Sequence, residues 1–143
     1  MATEDRYRAT GQPSLADLDE HKGRGVVAVI NVRPASEQAS LGFDEEAEVG
    51  SRGMKYLHIP IANGGDFSVE KAQALDEFLG GVGAGGVLVH CQGGNRAAGI
   101  LTLRSLLAGE SSSPDEALEF GRKLGLKAPL EEPIKTLLGQ ISP

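Results

Sequence analysis

One short stretch of the chain, VLVHCQGGNRA at residues 87–97, combines the residue types that nucleophilic catalysis uses. It contains Cys91, which is the only cysteine in 143 residues, and an arginine, Arg96, five positions later. An ionised cysteine is a strong nucleophile, and a planar guanidinium can bind two oxygens of an oxyanion. The stretch therefore indicates a site at which a thiolate acts beside a bound anion.

The loop between these two residues has the composition of an anion-binding turn. It follows an apolar run that we predict to be a strand ending at His90, and it precedes a helix predicted over residues 97–108. Ligands of open α/β sheets bind beyond the carboxyl ends of the strands. Gly93 and Gly94 can adopt positive φ without penalty, so successive N–H groups can turn inward toward an anion. A helix N-terminus and a nearby cation also lower the pKa of a cysteine thiol, which favours the thiolate.

The alternative is that Cys91 is a small buried hydrophobic residue and that Arg96 is a surface charge. The order of strand, His-Cys, Gly-Gly, Arg and helix favours the functional interpretation. The same order does not by itself identify the anion.

The remaining sequence alternates strands with helices. This pattern predicts an α/β fold with a central, mostly parallel sheet of about four to five strands flanked by helices. The predicted strands cover residues 6–11, 26–32, 54–61 and 87–90, and the predicted helices cover residues 15–23, part of 35–53, 69–80, 97–108, a segment from Pro114, and a short last helix near 134–141. No linker divides the chain, so we expect a single domain over residues 1–143, with residues 1–5 frayed.

Composition excludes several classes of function. The net charge of −6 argues against broad nucleic-acid binding, which needs a basic face. No apolar run approaches the ~20 residues of a membrane span, and a lone cysteine cannot form an internal disulfide. We therefore expect a cytoplasmic protein without a membrane partner. Three scattered histidines and one cysteine offer no metal-ligand cluster, so we expect no metal and no cofactor, and the oligomeric state is not indicated.

The residues HCQGGNR at positions 90–96 resemble the signature loop of the cysteine-dependent protein tyrosine phosphatases. More specifically, the chain is similar to the bacterial dual-specificity-phosphatase-like family that also occurs fused to β-lactamase-like hydrolases. The similarity extends to ATGQPSLADL, VINVRP and YLHIPI, which follow the order and spacing of that family. Together these motifs cover roughly residues 6–108.

This resemblance implies a cysteine phosphatase-like fold and a phosphatase that acts through a phosphocysteine. Cys91 would attack a phosphomonoester of a phosphorylated protein (phosphotyrosine, phosphoserine or phosphothreonine) or of a small molecule. Arg96 would bind the phosphoryl oxygens, and His90 would order the loop and favour the thiolate, although His90 also fits a hydrogen-bonded core histidine. The backbone amides that complete the substrate-binding loop belong to Gln92, Gly93, Gly94 and Asn95.

The resemblance also implies a general acid that protonates the leaving oxygen. The family uses an aspartate on an upstream loop, and Asp66 matches it, because it follows the strand YLHIPI at the same edge as Cys91. Alternatively, Asp66 only helps to cap the helix that begins near Ser68. Arg33 follows another strand and either adds positive potential to the substrate site or pairs with Glu37.

Two departures from the phosphatase pattern leave other functions open. Four residues separate Cys91 from Arg96, where the larger superfamily has five, and rhodaneses have a similarly short loop around a persulfide. Ala97 stands where phosphatases carry a serine or threonine that stabilises the departing thiolate. The alternatives are a rhodanese-like sulfurtransferase and a non-catalytic anion-binding pseudophosphatase, but the flanking motifs and Asp66 favour the phosphatase.

Overall fold

The computed structural model describes residues 6–141, so the predicted fraying of residues 1–5 lies outside the described residues. The described part of the chain contains one four-stranded sheet, and its neighbouring strands all pair in parallel. The strands, in the spatial order β1-β4-β2-β3, are β1 (Tyr7–Thr10), β4 (Gly86–His90), β2 (Val26–Asn31) and β3 (Lys55–His58). The prediction of an α/β fold with a parallel sheet is confirmed.

Helices connect the strands and follow the last one. They are α1 (Leu15–Gly23), α2 (Ala35–Gln38), α3 (Glu45–Ser51), α4 (Val69–Gly80), α5 (Asn95–Leu107), α6 (Pro114–Leu124) and α7 (Glu131–Ile141), and a 3₁₀ turn covers Gly64–Asp66. The helix predicted within residues 35–53, roughly over FDEEAEVGSRG, corresponds to α3, whereas the four-residue helix α2 was not predicted. Helix α5 begins two residues before the predicted start, since Gly94 is its N-cap.

Side-chain caps fix where several helices begin. The Ser14 hydroxyl accepts the N–H of Asp17 at 3.0 Å, and the Asp17 carboxylate accepts the N–H of Ser14 at 2.9 Å. Ser68 caps α4 in the same manner by accepting the N–H of Lys71 at 3.1 Å. These bonds satisfy N–H groups that no helical carbonyl can reach, which is why the sequence located these starts well.

Apolar side chains cover both faces of the sheet. The larger cluster packs α4, α5, α6 and α7 against one face, and the smaller cluster packs α1 and α3 against the other. The central strands β2 and β4 are therefore buried on both sides, as their continuous apolar sequences predict. The carboxyl ends of β2 and β4 lie at the same edge of the sheet, and Arg33 and Cys91 follow these strand ends in the chain. Within residues 6–141, every helix is too short or too polar to span a lipid bilayer.

Candidate active site

Cys91 lies directly after β4, and the loop that follows turns back over its sulfur. The N–H of Cys91 donates to the Thr10 carbonyl at 3.1 Å, which ties the cysteine to β1 as well. The N–H of Gly94 then donates to Cys91 Sγ at 2.9 Å. Gly94 has a φ of +95°, a left-handed conformation that favours glycine, and it immediately precedes α5. The loop thus directs an amide and a helix N-terminus at the sulfur.

Of the two glycines that can adopt positive φ without penalty, only Gly94 does so, and the backbone of Gly93 stays outside the left-handed region. Gly93 instead forms an isolated antiparallel bridge with Gly11, which follows β1. A Cβ placed on Gly11 would lie only 2.5 Å from the Gln92 carbonyl oxygen, so this close approach requires glycine. The ATGQPS segment therefore packs closely against the cysteine loop.

Arg96, in the first turn of α5, faces both the sulfur and a carboxylate. Its Nη2 donates to Glu37 Oε1 at 2.9 Å, and its Nη1 donates to Glu37 Oε2 at 3.1 Å and to the Ile61 carbonyl at 2.7 Å. The pKa of Arg96 is raised, mainly by the hydrogen bond to Glu37 and to a smaller extent by the interaction with Cys91. The structure therefore brings Cys91 and Arg96 together.

Arg33 binds the same carboxylate from the end of β2. Its Nε donates to Glu37 Oε1 at 3.2 Å, its Nη2 donates to the Glu37 carbonyl at 3.0 Å, and its Nη1 donates to Gln12 Oε1 at 2.6 Å. Hydrogen bonds from Arg96 and then Arg33 lower the pKa of Glu37, against the opposing effect of burial. Of the two roles considered for Arg33, pairing with Glu37 is observed, and this pairing also places Arg33 beside Arg96.

A buried contact between His90 and Glu45 supports the strand end from which the loop begins. His90 is fully buried, and its Nε2 lies 2.6 Å from Glu45 Oε2, whose side chain is 2% exposed. Burial raises the pKa of Glu45, but hydrogen bonds from His90 and Gln12 outweigh it, so the pKa is lowered overall. Gln12 Nε2 donates to Glu45 Oε1 at 2.7 Å. His90 is thus a hydrogen-bonded core histidine that joins α3 to the end of β4, directly before Cys91.

Sequence reasoning missed Glu45 and Gln12. Glu45 belongs to an acidic run in which Glu46 and Glu48 look equivalent, and only the packing of α3 against the sheet distinguishes it. Gln12 could have been found from the sequence, because it lies within the ATGQPS motif that marks the family resemblance. Its side chain bridges Arg33 and Glu45, and so connects Arg33 with the carboxylate that contacts the buried His90.

The remaining predicted loop residues have different surroundings. The Asn95 side chain accepts the N–H of Lys127 at 3.1 Å, so it faces the segment between α6 and α7 and not the interior of the loop. Gln92 is exposed. The role of the Gln92 and Asn95 backbone amides in binding substrate stays a prediction.

Asp66 ends the 3₁₀ turn after β3, at the same edge as Cys91. Its Oδ2 accepts the N–H of Ala62 at 2.8 Å, its Oδ1 lies 3.9 Å from Lys71 Nζ, and its side chain is 46% exposed. Ser68 caps α4, so the alternative in which Asp66 caps this helix was wrong. Its role as a general acid stays a prediction.

The order of the parallel strands and the cysteine loop after β4 define a fold of the protein tyrosine phosphatase class. The solved structure of Tk-PTP in its active form has a TM-score of 0.74 and 23% identity, with 94% of this chain and 92% of that chain covered. Kinase associated phosphatase, solved with its catalytic site cysteine replaced by serine, has a TM-score of 0.73 and 19% identity, with 88% and 74% covered. At these identities the likeness shows the fold alone.

The family is shown by the sequence comparisons. The family model for the phosphatase-like domain of beta-lactamase hydrolase-like protein matches residues 2–108, and the chain belongs to this family, as the sequence motifs predicted. Beta-lactamase hydrolase-like protein from Agrobacterium fabrum is 29% identical over 123 residues, which are 85% of this chain. The matching protein from Xylella fastidiosa has the same identity and coverage. The chain spans 28% of the length of these relatives.

Proposed function

We propose that this chain hydrolyses phosphomonoesters, with Cys91 as the nucleophile and Arg96 as the principal oxyanion ligand. The observation that carries this proposal is that the Gly94 N–H donates to the Cys91 sulfur at the N-terminus of α5, with Arg96 in the first turn of the same helix. These groups favour negative charge at one point, so they suit a thiolate and an incoming phosphoryl group. Membership in a phosphatase-like family and the phosphatase fold support the same reaction.

In the first step, the Cys91 thiolate attacks phosphorus, an S–P bond forms, and the ester P–O bond breaks. Arg96 and the loop amides bind the non-bridging oxygens, on which the charge of the transition state lies. The leaving oxygen takes a proton from an acid, for which we propose Asp66. Asp66 would deliver it as the carboxylic acid, with the proton on Oδ1 while Oδ2 accepts the N–H of Ala62.

In the second step, water attacks phosphorus and passes a proton to the Asp66 carboxylate, the S–P bond breaks, and Cys91 is released as a thiolate. The Gly94 N–H already donates to the sulfur, so it stabilises the thiolate as it leaves. Ala97 offers no hydroxyl for this purpose and is fully buried. We therefore expect breakdown of the phosphocysteine to be the slow step.

Sulfur transfer is the second candidate, and the tight loop of four residues between Cys91 and Arg96 favours it. In this reaction the Cys91 thiolate attacks the outer sulfur of thiosulfate, a persulfide forms, the S–S bond of thiosulfate breaks, and sulfite leaves. A nucleophile such as cyanide then takes the outer sulfur and restores the thiolate. This cycle needs no proton for a leaving alkoxide, so it makes no use of Asp66.

A direct comparison of substrates tests both candidates. Wild type and Cys91→Ser are assayed with p-nitrophenyl phosphate, with phosphopeptides and sugar phosphates, and with thiosulfate plus cyanide. We expect vanadate-sensitive hydrolysis of phosphomonoesters by the wild type and no hydrolysis by Cys91→Ser. Full activity of Cys91→Ser would remove Cys91 as the nucleophile. Sulfur transfer that exceeds phosphate hydrolysis would replace the phosphatase with the sulfurtransferase.

A further inference from the structure

A lysine in the first turn of α4 connects the two ends of the segment that carries Asp66. Lys71 Nζ donates to the Pro60 carbonyl at 2.8 Å and to the Asp66 carbonyl, also at 2.8 Å. Pro60 lies shortly after β3, and Asp66 ends the 3₁₀ turn that follows. The Lys71 side chain therefore closes a loop over residues 60–66 and holds the backbone of Asp66 in place.

The same ammonium group lies beside the Asp66 carboxylate. Lys71 Nζ is 3.9 Å from Asp66 Oδ1, while Asp66 Oδ2 accepts the N–H of Ala62. In the first step proposed above, Oδ1 gives its proton to the leaving oxygen and becomes negatively charged. A cation at this distance stabilises that charge as it develops, so Lys71 favours the proton transfer.

The position of Lys71 within α4 is unfavourable for the helix itself. Lys71 is the third residue of α4, and its N–H donates to the Ser68 hydroxyl at 3.1 Å. Cations are disfavoured in the first turn of a helix, because the N–H groups there carry partial positive charge. The two bonds from Lys71 Nζ to carbonyl oxygens offset this cost. The lysine therefore serves the preceding turn and not the helix.

Lys71 and Arg96 hold consecutive peptide groups. Lys71 Nζ binds the carbonyl of Pro60, and Arg96 Nη1 binds the next carbonyl, that of Ile61, at 2.7 Å. The peptide that Arg96 holds also carries the N–H of Ala62, to which Asp66 is bonded. Lys71 thus supports the backbone through which the proposed acid and the proposed oxyanion ligand are connected.

Other contacts of the turn do not depend on Lys71. A Cβ placed on Gly64 would lie 3.0 Å from Pro133 Cγ, so the turn packs closely against α7. Phe67 is buried, and a Cβ placed on Gly99 of α5 would lie 2.7 Å from its ring. The Lys71 side chain itself is 28% exposed. We therefore expect the protein to fold when Lys71 is replaced.

We propose that Lys71 is a positioning residue for the general acid, because it holds the turn that carries Asp66 and places a positive charge beside Asp66 Oδ1. The inference rests on the proposed function, since it assumes that Asp66 is the acid. In this role Lys71 keeps its own protons and acts only through Asp66. The competing view is that Lys71 only stabilises the fold, in which case its loss affects all phosphate esters alike.

The test compares kcat/KM for an alkyl phosphate and for p-nitrophenyl phosphate in wild type and Lys71→Met. We expect kcat/KM of Lys71→Met to fall about tenfold for the alkyl phosphate, the effect of one hydrogen bond from a charged group. For p-nitrophenyl phosphate we expect less than about a twofold loss, since its leaving group needs no proton. In the Asp66→Asn background, Lys71→Met should cause no further loss on either ester, because the group through which it acts is absent.

Lys55→Met is the matched control. Lys55 Nζ also donates to a backbone carbonyl, that of Gly81 at 3.0 Å, but Lys55 lies at the first residue of β3, away from the carboxyl edge of the sheet. We expect this variant to retain the wild-type kcat/KM for both esters.

Equal losses on the two esters in Lys71→Met, no loss on either, or a further loss in the Asp66→Asn background would overturn the inference. If Lys71→Met does not fold, the shorter neutral side chain of Lys71→Gln replaces it and must show the same dependence on the leaving group. A dependence in Asp66→Asn that is absent from Lys71→Met rejects the role of Lys71 alone. Absence of the dependence in Asp66→Asn rejects the acid assignment and this inference with it, and a wild type that hydrolyses neither ester rejects the phosphatase and the inference together.

Discussion

Arg96 and Asp66 bind the two ends of one peptide group. Arg96 Nη1 donates to the Ile61 carbonyl at 2.7 Å, and Asp66 Oδ2 accepts the N–H of Ala62 at 2.8 Å. The C=O and N–H of a trans peptide point in opposite directions, so the guanidinium and the carboxylate lie on opposite sides of it. Asp66, the proposed acid, is thus linked to Arg96 through a single peptide. A rotation of that peptide would break both bonds.

Asp66→Asn tests the acid role without removing this link, because the asparagine side-chain oxygen can still accept the N–H of Ala62. We expect kcat/KM, which reports formation of the phosphocysteine and not its slow breakdown, to fall about 10²- to 10⁴-fold for an alkyl phosphate, whose leaving oxygen needs the proton. The loss with p-nitrophenyl phosphate should be much smaller, since nitrophenolate leaves without protonation. Steady-state rates with the two esters provide the comparison. Equal losses on both esters, or no loss, would remove Asp66 from the acid role.

The conformation of Gly94 supports a second prediction, on the loop itself. Gly94→Ala places a Cβ at a φ of +95°, which costs roughly 1–2 kcal/mol of stability although the nearest atom is 3.5 Å away. We also expect phosphate affinity and turnover to fall, because relief of the strain moves the N–H that donates to Cys91 Sγ. Urea unfolding and steady-state kinetics measure the two effects.

Gly93→Ala is the matched control for that prediction. Gly93 lies outside the left-handed region, and a Cβ placed there meets no atom within 4 Å. We expect it to retain the stability and turnover of the wild type. If both alanine variants behave alike, backbone conformation at Gly94 is not what orders the loop.

The buried pair of His90 and Glu45 predicts a stability effect that depends on pH. Because the folded pKa of Glu45 is lowered from its ordinary 4.5, its contribution is present above that value and is lost as pH falls through the folded pKa. Glu45→Gln should therefore lower the free energy of unfolding by about 1–3 kcal/mol at pH 7 and weaken the loss of stability below about pH 4.5. Urea unfolding at pH 7 and pH 4 gives both values.

Glu46→Gln makes the same chemical change at the adjacent, exposed position of α3. We expect it to change the free energy of unfolding by no more than about 0.5 kcal/mol at either pH. A loss in Glu46→Gln as large as that in Glu45→Gln would mean that the general charge of the helix, and not the bond to His90, is responsible.

Local signals in the sequence were sufficient for most of the fold. The continuous apolar runs of β2 and β4 and the caps at Ser14 and Ser68 are short-range patterns, and they located their strands and helices closely. Within residues 35–53 only the helix over FDEEAEVGSRG was predicted, and it corresponds to α3, which Asp44 caps. The four-residue helix α2 was missed, because it has neither a side-chain cap nor a buried residue.

The candidate site also contains residues that local sequence patterns identify and residues that only the fold identifies. The sequence placed Cys91, Gly94 and Arg96 in one loop, because glycine, cysteine and arginine each have a local chemical signature. The partners Glu37 and Glu45 come from separate segments, and only the fold shows that one carboxylate faces Arg96 and the other faces His90. A glutamate in an acidic chain has no such signature, so its role depends on long-range contacts.

The central claim is that the Cys91 sulfur itself receives the transferred group. Wild type and Cys91→Ser are mixed with p-nitrophenyl phosphate, quenched rapidly, digested, and analysed by mass spectrometry of the peptide that contains residue 91. We predict one phosphoryl group on Cys91 in the wild type and none in Cys91→Ser. Turnover of the ester with no phosphoryl group on Cys91, or with the group on another residue, would contradict the account.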